Sequence, residues 1–239
     1  MPAHIRAKEG DIANKVVICG DPARVEALSK LLDKPSVVNT NRGFLAYTGK
    51  FRGKSITLAT HGIGQPSVAI VIEELAQLGA KEIVRLGTCG GLAADIKVGE
   101  FAIPIGATYT YGSTVTQYIG AKLGGMAVAQ TPDYGLTNYI AEALKSMRLK
   151  FIMTNTYSSD SFYSLDDDTA KQLAVYGNGV VEMEVATLFM LGRIKGLKTA
   201  SLLIVSDNVI KHTKLFTHKE LEKSVMLAGK AVLEALAKS

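Results

Sequence analysis

Short apolar runs, each closed by a turn and followed by a segment of helical period, recur along the whole chain. This alternation constrains the fold more than any other feature. Residues 16–19 (Val-Val-Ile-Cys) run straight into Gly20-Asp21-Pro22. Pro22 suits the first turn of a helix, where a missing N–H leaves nothing unpaired, and Val25, Ala27 and Leu28 carry that helix on. Residues 56–59 read as a strand and 66–78 as a helix, with Ala69, Ile72 and Ala76 on one face and Gly79 closing it. Residues 83–86 form a strand that ends in Gly87-Thr88-Cys89-Gly90-Gly91, and Pro104 pushes a strand at 101–105 toward an edge or a bulge. Leu136, Ile140, Ala143 and Met147 make one helical stripe. Residues 151–156, 180–183 and 199–205 read as strands, and 184–195 as a helix. The last helix opens at Thr217, whose hydroxyl forms a capping box with Glu220, and buries Leu221, Val225, Ala228 and Val232. The pattern predicts an α/β fold whose largely parallel sheet is covered on both faces.

No linker, repeat or low-complexity tract divides the 239 residues, so residues 1–239 are read as a single domain. Hydrophobic residues make up 47% and charged residues 21%, which excludes a disordered chain. No apolar run reaches the ~18 residues of a membrane span, and the N-terminus has no leader-like stretch, so a cytoplasmic location is expected. The net charge of +5 suits a phosphate-bearing partner, but the bases are scattered and not interleaved with aromatics, which argues against a nucleic-acid or membrane surface. Cys19 and Cys89 build no disulfide framework, and no Cys/His spacing suggests a metal. Residues 106–131, rich in Gly and Thr, read as one long loop of the kind that often carries function.

Ligands in open α/β sheets sit beyond the carboxyl ends of strands, and four such ends carry unusual polar residues. At Gly20-Asp-Pro-Ala-Arg24, a glycine at the strand–helix turn, the helix dipole and Arg24 all favour an anion. At Arg85-Leu-Gly-Thr88, an arginine in an apolar strand needs a partner. A bound oxyanion beside Thr88 would serve, and so would an internal carboxylate such as Glu184. At Glu182-Met183-Glu184, two carboxylates at i and i+2 share one side of an extended chain and can accept from vicinal sugar hydroxyls. A helix-start role near a helix N-terminus competes for Glu182. Asp207 follows the apolar strand that ends at Ser206, where partial desolvation would suit a general acid. On spacing alone, a turn or cap residue is favoured there. Cys89 with His61 is a possible nucleophile pair, equally read as a small residue in a glycine turn. There is no G-x-S-x-G elbow, no GxGxxG and no Walker A sequence.

Taken together, Gly20-Asp-Pro-x-Arg24, Arg42-Gly43, Arg85-x-Gly-Thr-Cys-Gly90, Phe162-Tyr163, Glu182-Met-Glu184 and Ser206-Asp207 occur in the order found in nucleoside phosphorylases of the hexameric purine nucleoside and uridine type. The chain resembles that family over nearly its whole length. It is most similar to archaeal-type purine nucleoside and 5′-methylthioadenosine phosphorylases, on Asn41-Arg-Gly-Phe44, Phe162-Tyr163 and Val205-Ser-Asp-Asn208. The resemblance implies a three-layer α/β/α sandwich around a mixed central sheet, of the phosphorylase/hydrolase-like kind. It implies phosphate binding by Gly20, Arg24, Arg85 and Thr88, with Arg42 reaching the phosphate of a neighbouring subunit and His4 crossing to the 5′ end of its sugar. Glu184 and Met183 would hold the ribose. Phe162 would stack on the base, with Cys89, Gly90 and Glu182 lining its pocket. Asp207, with Ser206 beside it, becomes the acid at purine N7. Inorganic phosphate is the expected co-substrate, with no cofactor or metal, in a homohexamer built as a trimer of dimers. Uridine phosphorylases have a Gln and an Arg where Asp166 and Asp168 stand here, and nucleosidases lack the Arg24 segment, so both alternatives are disfavoured. No arginine follows Arg193 to assist the acid, which leaves Lys211 or Lys219 as substitutes, Lys219 being equally a solvated helix-start residue.

Overall fold

The computed structural model describes residues 2–120 and 128–239. The strands are β1 (Lys15–Cys19), β2 (Asp33–Asn39), β3 (Ala46–Phe51), β4 (Lys54–Thr60), β5 (Glu82–Gly91), β6 (Phe101–Tyr109), β7 (Phe151–Ser158), β8 (Asn178–Glu182) and β9 (Lys198–Asn208). The α-helices are α1 (Pro22–Ser29), α2 (Gln65–Gln77), α3 (Thr114–Ile119), α4 (Tyr134–Ser146), α5 (Asp167–Val175), α6 (Val185–Lys195) and α7 (His218–Lys238).

The sheet runs β2-β3-β4-β1-β5-β8-β7-β6-β9, and β9 returns to pair with β5. Thus β5, β8, β7, β6 and β9 close on themselves, while β1, β4, β3 and β2 extend from β5 as an open flank. Parallel pairs (β1 with β4 and β5, β5 with β9, β6 with β7, β7 with β8) alternate with antiparallel ones (β2–β3, β3–β4, β5–β8, β6–β9). The sheet is therefore mixed, as the resemblance implied, rather than largely parallel as the alternation suggested. Two strands escaped the sequence pattern. β2 and β3 form an edge hairpin in which β2 (DKPSVVN) is mostly exposed and lacks the apolar run that marks a covered strand.

Period-2 patterning explains the layers. Val17 and Cys19 of β1, Val84 and Leu86 of β5, and Leu202 and Ile204 of β9 face one core, with residues of α1, α4 and α7. Val16, Ile18, Ile83, Leu203 and Val205 face the other, with α2 and α6. The α7 stripe of Leu221, Val225, Ala228 and Val232 is buried, each large aliphatic side chain contributing about 1.5–3 kcal/mol. The expected capping box at Thr217 and Glu220 is present. The loop expected at 106–131 is shorter: β6 runs on to Tyr109, α3 follows, and Ala107 bridges to Gln130, while residues 121–127 lie outside the described residues. α3 and α5 carry too few apolar positions to show a stripe in sequence.

Candidate active site

Strand register gathers the polar ends. Cys19 of β1 pairs with Thr60 of β4, and Ile18 with Arg85 of β5, so the turns after β1 and β4 emerge side by side. A Cβ at position 20 would stand 2.9 Å from the Gly62 carbonyl oxygen, so only glycine permits this approach. The turns open on a cavity of about 660 Å³, a size suited to a small-molecule ligand. Gly20, Arg24, Arg85, Thr88, Cys89 and Gly90 line it, as do Phe162, Glu182, Met183, Glu184, Ser206 and Asp207.

Arg24 and Arg85 are both buried. Arg24 Nη1 donates to the Leu86 carbonyl at 3.2 Å, while its Nε has no acceptor. Arg85 Nη2 donates to Glu184 Oε2, so the internal carboxylate does pair this arginine. That pairing does not exhaust the guanidinium: Nε and Nη1 make no hydrogen bond, and Nη1 stands 3.6 Å from Glu182 Oε2. The guanidinium folds back over Gly87, where any Cβ would overlap it. Buried N–H groups without acceptors are costly, and their cluster beside the Gly20 turn and Thr88 is matched to a tetrahedral oxyanion.

The two glutamates divide their work. Glu182 Oε2 accepts from the backbone N–H groups of Glu184 (2.7 Å) and Val185 (2.9 Å), and Oε1 from Ser158 Oγ (2.5 Å). Glu182 thus caps the start of α6 from a buried position, which is the competing helix-start role, although it also lines the cavity. Burial pushes its carboxyl above the ordinary range, the Arg85 charge opposing and the Glu184 charge adding to the rise. Relieved of capping, Glu184 sends its side chain to Arg85 and to the Gly64 N–H at 2.7 Å. Burial pushes Glu184 up too, but the Arg85 charge and these donors outweigh it and hold the carboxyl below its usual range.

A bulge sets Asp207. In the β5–β9 ladder Cys89 pairs with Val205 and Gly90 with Asp207, leaving Ser206 as the extra residue. Ser206 Oγ lies 3.1 Å from the Cys89 carbonyl and 2.8 Å from Asp207 Oδ1. Ser206 Oγ is placed to donate its one proton to either acceptor, with Asp207 Oδ1 the nearer. Burial raises the Asp207 pKa and the Ser206 bond only partly offsets this, so the acid form persists at higher pH than for a free aspartate. The Cys89–His61 nucleophile pair fails on chemistry: burial pushes the Cys89 thiol up and drives the His61 imidazole down to about 3.

His4 and Arg42 lie outside this cavity. They are joined through one segment: Asn41 Nδ2 donates to the His4 carbonyl at 2.9 Å, and Arg42 follows at φ 54°. Phe162 is 60% exposed, edge-on to Tyr163 with ring centroids 5.0 Å apart. Asp166 caps α5 by accepting from the Thr169 N–H at 2.7 Å, and neither Asp166 nor Asp168 lines the cavity. Lys211 and Lys219 are exposed and do not line it either. Residues unread in the sequence include Gly62, Ile63, Ser159, Leu165 and Phe216, all in the lining. The Gly62-Ile-Gly64-Gln-Pro66 turn carried the same strand–glycine–proline–helix signal as Gly20-Asp-Pro22; the apolar loop residues carried none.

A model of the phosphorylase superfamily matches residues 14–238. The chain is 33% identical over 236 residues to a purine nucleoside phosphorylase DeoD-type of Clostridium novyi, covering 98% of this chain and 99% of that protein. The same identity and coverage hold for a purine nucleoside phosphorylase DeoD-type of Caldanaerobacter subterraneus. Among solved structures, a uridine phosphorylase from Vibrio fischeri superposes with TM-score 0.88 at 29% identity, covering 100% of this chain and 98% of that one. A purine nucleoside phosphorylase from Toxoplasma gondii in complex with immucillin-H superposes with TM-score 0.89 at 25% identity, covering 100% and 96%.

Proposed function

The chain belongs to the phosphorylase superfamily, and from that premise we propose a purine nucleoside phosphorylase that converts purine nucleoside and inorganic phosphate to free base and pentose 1-phosphate. The observation that carries this reading is one cavity holding both halves of the chemistry. Arg24 and Arg85 line it, each with buried guanidinium N–H groups that have no acceptor, and so does the half-buried carboxyl of Asp207 with its raised pKa.

Phosphate occupies the Gly20 turn, Arg24, Thr88 and the open edge of Arg85. The same arginine keeps Glu184 through Nη2, so one guanidinium sets the anion and the carboxylate that receives the ribose hydroxyls in fixed relation. Met183 packs beneath the sugar, and Phe162 stacks on the base in a pocket that Cys89, Gly90 and Glu182 help to line. A phosphate oxygen bonds to C1′ as the C1′–N9 bond breaks, the phosphate charge compensating the cationic sugar between them. The electron pair of the broken bond passes into the purine, and the Asp207 proton goes to N7, worth about 10²–10⁴-fold. No cofactor is called for in this scheme.

His4 and Arg42, joined through Asn41 and absent from the lining of their own cavity, complete the site of a neighbouring subunit, Arg42 at the phosphate and His4 at the sugar 5′ end. The active unit is then at least a dimer, within a hexamer of three such dimers. Both cysteines are free and buried, as suits a reducing cytoplasm, and no described helix is long and apolar enough to cross a membrane.

The purine reading is favoured over uridine because Asp166 and Asp168 stand where the resemblance puts the Gln and Arg of uridine phosphorylases, whereas an acid stands at Asp207. The test is base release from inosine, adenosine and uridine with and without phosphate. Phosphate-dependent cleavage of the purine nucleosides is expected; equal rates without phosphate would identify a nucleosidase, and preference for uridine would overturn the purine assignment.

A further inference from the structure

The loop from the end of β7 to the start of α5, residues 159–166, carries Phe162. Phe162 and Tyr163 are exposed and belong to neither core, so polar contacts have to place this loop. At its root the Ser159 N–H donates to the Glu182 carbonyl at 2.8 Å, and Ser159 Oγ donates to the Ser161 carbonyl at 2.9 Å. Asp160 meets the buried amide of Gln65, whose Nε2 donates to Asp160 Oδ1 at 2.7 Å. Oε1 of the same amide accepts from Thr187 Oγ1 of α6 at 2.8 Å. A carboxylate only accepts hydrogen bonds, so the amide has one orientation, nitrogen toward Asp160 and oxygen toward Thr187. Gln65 is the first residue of α2, and Gly64 just before it gives its N–H to Glu184 Oε1 at 2.7 Å. The start of α2 therefore grips Glu184 with its backbone and the Phe162 loop with its next side chain. Neither Gln65 nor Asp160 lines the cavity.

We propose that Gln65 is a positioning residue for the base subsite, holding the Phe162 loop through Asp160 at the separation from Glu184 that a nucleoside spans between its base and its ribose. This rests on the function proposed above and adds the device that sets its base subsite. Because Gln65 and Asp160 lie outside the lining, their effect on a nucleoside passes through the loop. The phosphate groups, on Gly20, Arg24, Thr88 and Arg85, do not depend on it. The base stays stacked from substrate to transition state, so the bridge supports both alike. Its loss raises the nucleoside KM and leaves kcat in place.

The experiment is initial-rate kinetics on inosine and phosphate with the assembled parent, Gln65→Met, Asp160→Ala, Asp160→Asn and the Gln65→Met/Asp160→Ala double variant. The inosine KM is expected to rise about tenfold in Gln65→Met and in Asp160→Ala, roughly the worth of one hydrogen bond to a charged group, and no further in the double variant. The phosphate KM and kcat are expected to stay within about twofold of the parent. Asp160→Asn keeps an oxygen to accept from Gln65 Nε2, and its inosine KM should stay within about threefold of the parent. An unchanged inosine KM in Asp160→Ala overturns the inference and leaves the phosphorylase reading intact. So does an equal rise in the inosine and phosphate KM, or an Asp160→Asn protein as impaired as Asp160→Ala. A parent that cleaves no purine nucleoside in phosphate overturns that reading and the inference with it. Should Gln65→Met fail to fold because Thr187 loses its acceptor, the two variants at exposed Asp160 decide.

Discussion

Replacing Arg85 by methionine removes one charge from a buried cluster and leaves two. The Glu182 and Glu184 side chains are 1% and 6% exposed, and Arg85 is the cation that both approach. Methionine roughly preserves the volume, so the cost is electrostatic. Breaking a buried pair from one side costs about 3–5 kcal/mol. At a urea dependence of ~3 kcal/mol per molar, that lowers the denaturation midpoint by roughly 1–2 M. The pH dependence gives the sharper test. In the parent, the Glu184 pKa lies below its unfolded value, so its stabilisation is present above that unfolded value and is lost as pH falls through the folded one. In Arg85→Met both carboxylates are buried without a cation, and their folded pKa values rise above the unfolded ones. The variant is then penalised fully above those raised values and not at all below the unfolded ones. The gap between parent and variant should be widest near pH 8, narrow as pH falls toward the ordinary carboxylate range of about 4, and close only below it, as Glu184 of the parent protonates. Urea titrations monitored by circular dichroism at fixed protomer concentration read it directly, because subunit association also contributes to stability. A gap equal at pH 8 and pH 5, or a variant as stable as the parent at pH 8, would refute the reasoning.

Asp207→Asn should lower kcat on inosine by about 10²–10⁴-fold and abolish the alkaline limb of the pH–rate profile; in the parent that limb marks loss of the Asp207 proton as pH rises through its raised pKa. Parent-like kcat in that variant would remove Asp207 from the reaction. Gly87→Ala forces the Arg85 guanidinium out of its fold over the backbone, and should raise the phosphate KM well above its effect on nucleoside KM in initial-rate kinetics. Thr217→Ala removes the cap of α7 and should cost about 0.5–2 kcal/mol, seen by calorimetry as a Tm lower by several degrees with kcat close to that of the parent.

Much of this molecule was legible one strand end at a time. Apolar runs flanked by glycine and proline located β1, β4, β5 and β9 and the turns that carry Gly20, Arg24, Thr88 and Asp207, because covered strands must be apolar throughout and must turn where they meet a ligand. The Thr217–Glu220 cap was readable for the same local reason. What the chain order could not supply was who meets whom. The antiparallel β5–β8 and β6–β9 pairings, which make the sheet mixed, join segments tens of residues apart and leave no trace in local periodicity. Arg85 offered two partners in sequence, an anion or Glu184. Tertiary packing decided that it takes the carboxylate with one nitrogen and keeps two others open, because α6 begins where β8 ends and Glu182, not Glu184, caps it. A one-residue bulge at Ser206 set the place of Asp207, and a glutamate seventy residues away ties down the segment that carries His4. Residue type and local spacing therefore determine which groups this protein possesses and which elements carry them. Their protonation states and partners arise only when folding removes water and sets distant charges side by side.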